Sequence, residues 1–169
     1  MEFIFTLKYQ LSEQDANHHN IVGRLLAAGC DDVVIGIGLP GRLALEFTRE
    51  ADSAVQTILQ AISEIKNVIP SALLIEAAPD LVGLTDVAEL VGVSRQNMRK
   101  LMLAYPGNFP PPVHEGKTSL WHLTDILRWL QLRGSYQIPE AIAEVALATM
   151  QVNISKEACR LAEKGQTVA

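Results

Sequence analysis

Three groups of residues have types and spacings that can do chemistry. Gly36-x-Gly38-x-x-Gly41, within VVIGIGLPGRLALEF, has the glycine spacing that lets a loop approach a dinucleotide pyrophosphate. His18-His19 sets two imidazoles side by side, the first part of a metal site if further ligands follow. Arg95, Gln96, Arg99 and Lys100 concentrate hydrogen-bond donors and positive charge within six residues. Each group acts only if the element carrying it presents it correctly, so the elements decide among them.

The chain opens with period-two alternation. Phe3, Phe5, Leu7, Tyr9 and Leu11 share one face, and Ile4, Thr6, Lys8 and Gln10 the other, as in a half-buried strand. Ser12 or Asp15 is placed to cap a helix through Ile21, Val22, Leu25, Leu26 and Ala28, and Gly29 ends it in a left-handed conformation. DDVVIGI, from Asp31, reads as a second strand. RLALEFT reads as a third, with Leu43, Leu45 and Phe47 inward. From Ala51 to about Val68, Val55, Ile58, Leu59, Ile62 and Ile65 recur at helical spacing, and SALLIEAA supplies a fourth strand. The order βαββαβ is the ferredoxin-like arrangement, complete by Ala78-Pro79-Asp80.

That order changes the meaning of the glycines. A dinucleotide loop must leave a strand and open a helix, whose free N–H groups meet the pyrophosphate. Here alternation resumes after Gly41, so the glycines read as a hairpin loop with Pro40 in the turn. His18-His19 lacks a third ligand at metal spacing and reads as a solvated helix start. There is no Ser-His-Asp set, no carboxylate pair in a catalytic motif and no phosphate loop. The expectation is a protein that is not an enzyme and holds no cofactor and no metal.

The third group sits in LTDVAELVGVSRQNMRKLM. Thr85 is placed to cap a short helix, Ala88 is small where a second helix crosses, and Gly92 permits a tight turn. Val93 fills the corner and Ser94 caps the next helix. Met98, Leu101 and Met102 make that helix's buried side, which turns Gln96, Arg99 and Lys100 to solvent beside Arg95. Arginine donates twice to guanine, glutamine pairs with adenine, and lysine suits phosphate. FPPPVHEGKTSLWHLTDILRWL then predicts a proline-rich approach, a short strand, a turn at Gly116, a second strand through Leu120 and Trp121, and a Thr-capped helix burying Ile126, Leu127, Trp129 and Leu130.

Composition agrees. The 169 residues are 49% hydrophobic with a net charge of −5, no apolar run spans a bilayer, and the amino terminus lacks a signal-peptide pattern. Cys30 and Cys159 pair with no local motif, which suits a reducing cytoplasm. Residues 1–83 carry 5 basic and 11 acidic side chains and residues 135–169 carry 3 and 4, whereas residues 84–134 carry 6 and 4. An anionic partner is therefore expected at the middle segment.

Residues 84–133 resemble the winged helix-turn-helix of the AlpA, excisionase and MerR-like group of small bacterial and phage DNA-binding proteins. The likeness rests on VGVSRQNMRKL, FPPPVHEG and LWHLTDILRWL, and similar domains occur in phage terminase small subunits. It implies double-stranded DNA as partner, with Ser94, Arg95, Gln96, Arg99 and Lys100 contacting it from the second helix and His114, Lys117 and Ser119 from the wing. Family wings are often richer in arginine, whereas Lys117 is the certain cation here, so strong binding calls for two modules.

The expected layout is α+β: a ferredoxin-like domain over 1–80, a winged helix-turn-helix over 81–134, and a C-terminal helical segment over 135–169. Arg133-Gly134-Ser135 marks the second break. In the last segment Ile142, Val145, Thr149 and Val152 form one apolar stripe and Leu147, Met150, Ile154, Ala158 and Leu161 another. Such a face needs a partner, either the chain's own domains or, as favoured, a second copy in a homodimer. Asn153-Ile154-Ser155 matches a glycosylation sequon by chance. The functional expectation is a cytoplasmic dimeric transcriptional regulator. The alternatives are an excisionase-like or terminase-like architectural protein, and an antitoxin or adaptor with protein partners. A small-molecule or protein effector of the first domain stays open, and no membrane is involved. RNA binding is disfavoured because Phe3, Phe5, Tyr9 and Phe47 fall on the inward face.

Overall fold

The computed structural model describes residues 1–30, 32–134 and 136–165. Asp31 and Ser135, expected at a strand start and at a domain break, lie outside the described residues, as do 166–169 of the expected C-terminal segment. The protein is a mixed α+β structure, and no helix among the described residues is long and apolar enough to cross a membrane.

Alternation in the first segment produces strand β1 (Glu2–Gln10), whose Phe3, Phe5, Leu7 and Tyr9 are all buried. Helix α1 (His18–Ala27) follows, then β2 (Val33–Ile37), β3 (Arg42–Glu50), α2 (Ala54–Val68) and β4 (Leu73–Ala78). The four strands form one antiparallel sheet in the order β2-β3-β1-β4. Its inward face, with Leu43, Leu45 and Phe47 on β3, is covered by Ile21 and Leu25 of α1 and by Ala54, Ile58, Ala61 and Ile65 of α2. Removing such side chains from water stabilises the fold by about 1.5–3 kcal/mol for each large one.

The expected cap of α1 is corrected. Neither Ser12 nor Asp15 caps it; Asn17 does, its side chain accepting from the His19 and Asn20 N–H groups. Asp15 is occupied elsewhere, by the Ser71 hydroxyl and by Arg24 at 2.8 Å, which together hold its carboxyl below the usual carboxylate range. The glycine-rich stretch is a hairpin connection: Gly36 lies inside β2 opposite Ala44, and Gly41 begins the return with φ +76°.

The ladder bonds show which way each strand edge faces. Ala51 N–H donates to Met1 O at 3.0 Å, and Leu11 N–H donates to Gly41 O at 2.8 Å. Odd-numbered residues of β1 therefore bond β3, and even-numbered ones bond β4. By the observed registers, Val34 and Gly36 of β2 bond inward, leaving the main chains of Val33, Ile35 and Ile37 facing the outer edge. On β4 it is Ile75 and Ala77 that face out.

Past a cis Ala78–Pro79 bond the chain forms β5 (Leu81–Val82), α3 (Leu84–Val91), α4 (Arg95–Ala104), β6 (Trp121–His122), α5 (Leu123–Arg133) and α6 (Glu140–Glu163). A second core holds Val82, Val87, Ala88, Met98, Phe109, Trp121, Leu123, Ile126, Leu127, Trp129 and Leu130. The 24-residue α6 serves both cores. Val145, Ala148 and Val152 join the first, and Ala146 joins the second with Ile142 against it. One of its two apolar stripes is thus covered within the chain; on the other, Leu147 and Ile154 are exposed.

Specific polar contacts add to this packing. Glu144 accepts from Ala54 N–H at 3.0 Å, meeting a free donor at the start of α2. Asn153 accepts from Ala77 N–H and donates to Ala77 O and to Asp80 Oδ2, each at 2.8 Å. Lys156 donates to Ile75 O. Asp80, 1% exposed, also accepts from His122 Nδ1 at 2.6 Å, and its carbonyl accepts from Leu123 N–H at 2.7 Å. Thr149 donates to Pro79 O at 2.7 Å.

Candidate nucleic-acid interface

The interface is built on the pair α3–α4. Thr85 is not the cap of α3: Gly83 takes that place, and the Asp86 carboxylate reaches back to accept from Gly83 N–H at 3.0 Å. The remaining turn chemistry follows the sequence. Gly92 is left-handed with φ +82°, Gly92 and Val93 N–H both donate to Ala88 O, and Ala88 is buried. Ser94 Oγ accepts from Asn97 N–H at 3.1 Å, capping α4. Met98 is fully buried, with Leu101 and Met102 packed beside it. Those anchors rotate α4 so that Ser94, Arg95, Gln96, Arg99 and Lys100 are exposed.

The expected two-stranded wing is not formed among the described residues; a loop takes its place. His114 and Leu120 form one isolated bridge, closed by Val113 N–H to Leu120 O at 2.7 Å and Leu120 N–H to His114 O at 2.9 Å. Trp121 belongs instead to β6, which pairs with β5 through Leu81–His122 and Val82–Trp121. Pro111 and Pro112 remove the donors a longer hairpin ladder requires, which limits it to this bridge. Residues 108–110, at the base of this loop, are anchored from behind. Trp121 Nε1 donates to Pro110 O and Trp129 Nε1 to Asn108 Oδ1, both at 2.9 Å, and Phe109 sets its edge against both indoles. Arg133 stacks on Tyr105 and Trp129, 4.0 and 4.8 Å from the ring centroids.

Between α4 and the 109–120 loop runs an open groove of about 870 Å³. Four of the expected residues line it: Arg95 and Arg99 from α4, Lys117 and Ser119 from that loop. Ser94, Gln96, Lys100 and His114 are exposed but lie off its walls, with the His114 ring close over Gly116. Asp86 and Glu115 also reach the groove. Arg95, Arg99, Lys100 and Lys117 make no ion pair or side-chain hydrogen bond among the described residues. Arg24 and Arg49 are by contrast engaged by carboxylates.

His122 lies behind the 109–120 loop with its ring committed to buried Asp80. Thr124 does not cap α5, whose N-cap position is His122 and whose first turn carries Asp125. Sequence reasoning missed the Asp80–His122–Asn153 network, with Thr149 on the neighbouring Pro79 carbonyl, which ties the site to the rest of the chain. Its one visible sign was an Asp directly after a proline, at a place that otherwise reads as a linker. Of the His18-His19 pair, the side chain of His18 lies outside the described residues. Comparison of the chain with protein-family models, with curated proteins and with solved structures finds no match.

Proposed function

We propose that this chain is a sequence-specific double-stranded-DNA-binding protein, acting in the cytoplasm as a dimeric transcriptional regulator. The reading takes α3, α4, the 113–120 loop and α5 as a winged helix-turn-helix, and residues 1–80 as a ferredoxin-like unit that receives an effector or a partner. The strand order β2-β3-β1-β4, antiparallel throughout, supports the second assignment. The observation that carries the function is the set of uncommitted cations. In a chain of net charge −5, Arg95, Arg99 and Lys117 open onto one groove without a carboxylate partner among the described residues. A phosphate backbone fits that charge, and the exposed donors of Arg95, Gln96 and Arg99 suit base edges. A dimer sets two such modules roughly 34–36 Å apart, on an inverted repeat.

The test is selection of bound sites from random duplex DNA, followed by affinity measurement as salt rises. Arg99→Ala and Arg95→Ala should each weaken binding by about 1–3 kcal/mol if they read bases. If they hold phosphate, each should lower the salt slope by about 0.9. Unchanged affinity in both variants refutes the assigned face. Asp86 and Glu115 in the groove favour a second reading, an adaptor or antitoxin whose winged module binds protein. Failure to enrich any DNA, with a protein partner co-purifying, would support that one. Enrichment of bent or phased sites without a palindrome would point to the architectural role.

A further inference from the structure

The two edges of the four-stranded sheet are treated in opposite ways. A sheet edge offers unpaired N–H and C=O groups to any passing strand, and folded proteins normally blunt it with charge, proline, bulges or a covering element. The β4 edge is closed: the Asn153 amide satisfies both outward groups of Ala77, and Lys156 covers Ile75 O. The β2 edge has none of these protections. Its register with β3 runs without a shift, no proline lies within it, and no charged side chain occurs from Val33 to Gly41. Among the described residues, nothing bonds the outward main chains of Val33, Ile35 and Ile37. Asp32, the nearest acid before the strand, is turned back onto its own Arg49 at 2.7 Å. Val34 and Leu39 beside this edge are 68% and 71% exposed.

We propose that the β2 edge is the self-association surface of this protein, occupied by β2 of a second copy running antiparallel across a two-fold axis. With the axis at Ile35, Ile35 pairs with its own copy and Val33 with Ile37. Roughly six main-chain hydrogen bonds form. Val34 then stands opposite Gly36 of the second copy, a branched side chain beside an open position, and no like charges meet. The occupant is a second copy because an antiparallel copy of this strand meets it residue for residue, matching the outward N–H and C=O groups, setting Val34 beside Gly36 and bringing no charge to the seam. The assembly stops at two because joining the free edges leaves only the sealed β4 edges outside. The exposed stripe of α6 is the competing surface, but it shows only two large, well-exposed apolar side chains, Leu147 and Ile154. This inference rests on the dimeric part of the reading above and not on DNA binding.

The test is solution mass by light scattering, with DNA affinity measured separately so that the two ideas fail independently. The wild type should run at twice its 18.5 kDa chain mass. Ile35→Pro removes an outward N–H at no cost to the β3 ladder, and Val34→Lys sets a lysine on each side of the axis while facing Glu46 of its own β3. Both should halve the mass and leave far-ultraviolet circular dichroism unchanged, and the paired variant Leu147→Glu/Ile154→Glu should stay dimeric. A monomeric wild type overturns the proposal. So does a dimer that survives Val34→Lys, or one that dissociates in the α6 variant. Loss of DNA binding in a still-dimeric Arg99→Ala protein leaves it standing.

Discussion

Replacing Asn153 with leucine, close in shape but without the amide, should be among the most damaging single changes outside the two cores. The side chain makes three hydrogen bonds of 2.8 Å, two with the main chain of Ala77 and one with Asp80. Made bonds of this kind contribute about 0.5–1.5 kcal/mol each, whereas a buried group stripped of its partner costs about 1–3 kcal/mol. Ala77 is fully buried, so water cannot take over, and Asp80 keeps only the His122 ring against its carboxylate. The expected loss is about 3–5 kcal/mol, and at about 2–4 °C per kcal/mol the melting temperature falls by roughly 6–20 °C. Urea unfolding should be followed both by circular dichroism and by fluorescence of Trp121 and Trp129, which report the second core. Because α6 joins the cores, both probes should shift together. A loss below about 1 kcal/mol, with the Ala77 amide still slow to exchange, would refute the view that this side chain seals the sheet edge.

Two further outcomes follow from local chemistry. The Tyr9 hydroxyl is buried with no hydrogen-bond partner among the described residues, so Tyr9→Phe should stabilise the protein by about 1–2 kcal/mol in urea. Burial also pushes the Tyr9 phenol above its ordinary range. Above about pH 10 the unfolded chain ionises while the folded one resists. The wild type therefore loses up to about 1.4 kcal/mol per pH unit from this group, and the gap to Tyr9→Phe should widen with alkalinity. Ser94→Ala removes the cap on Asn97 N–H and should cost about 1 kcal/mol, read as a lower melting temperature.

Much of the first core was legible because its signal is local. Period-two alternation in β1 and β3 placed each buried side chain on the right face, and the resumption of that period after Gly41 excluded a nucleotide loop. The turn from α3 to α4 was equally legible, since Gly92, Val93 and Ser94 each answer a local backbone demand. Caps were harder. Asn17, Gly83 and His122 displaced Ser12, Thr85 and Thr124 because capping depends on where the helix axis enters, which packing decides. The expected wing was misjudged for another reason: β5 is two residues long and its Val82 claims Trp121 from 39 residues away, a pairing no local pattern announces. The Asp80 network belongs to the same class, Asp80 and Asn153 lying 73 positions apart. Arg95, Arg99, Lys117 and Ser119 were named from sequence, but their meeting in one groove is visible only in three dimensions.

The sealing of β4 by α6 has a consequence during synthesis. Asn153 follows Ala77 by 76 residues, so at roughly 5–20 residues per second the ribosome needs about 4–15 s to supply it. Through that interval a nascent chain with a finished sheet shows two open strand edges instead of one. Neighbouring chains on a polysome are then able to zip together at either end, and growth has no natural stop. Arrival of the last helix covers one of those edges and leaves the other open.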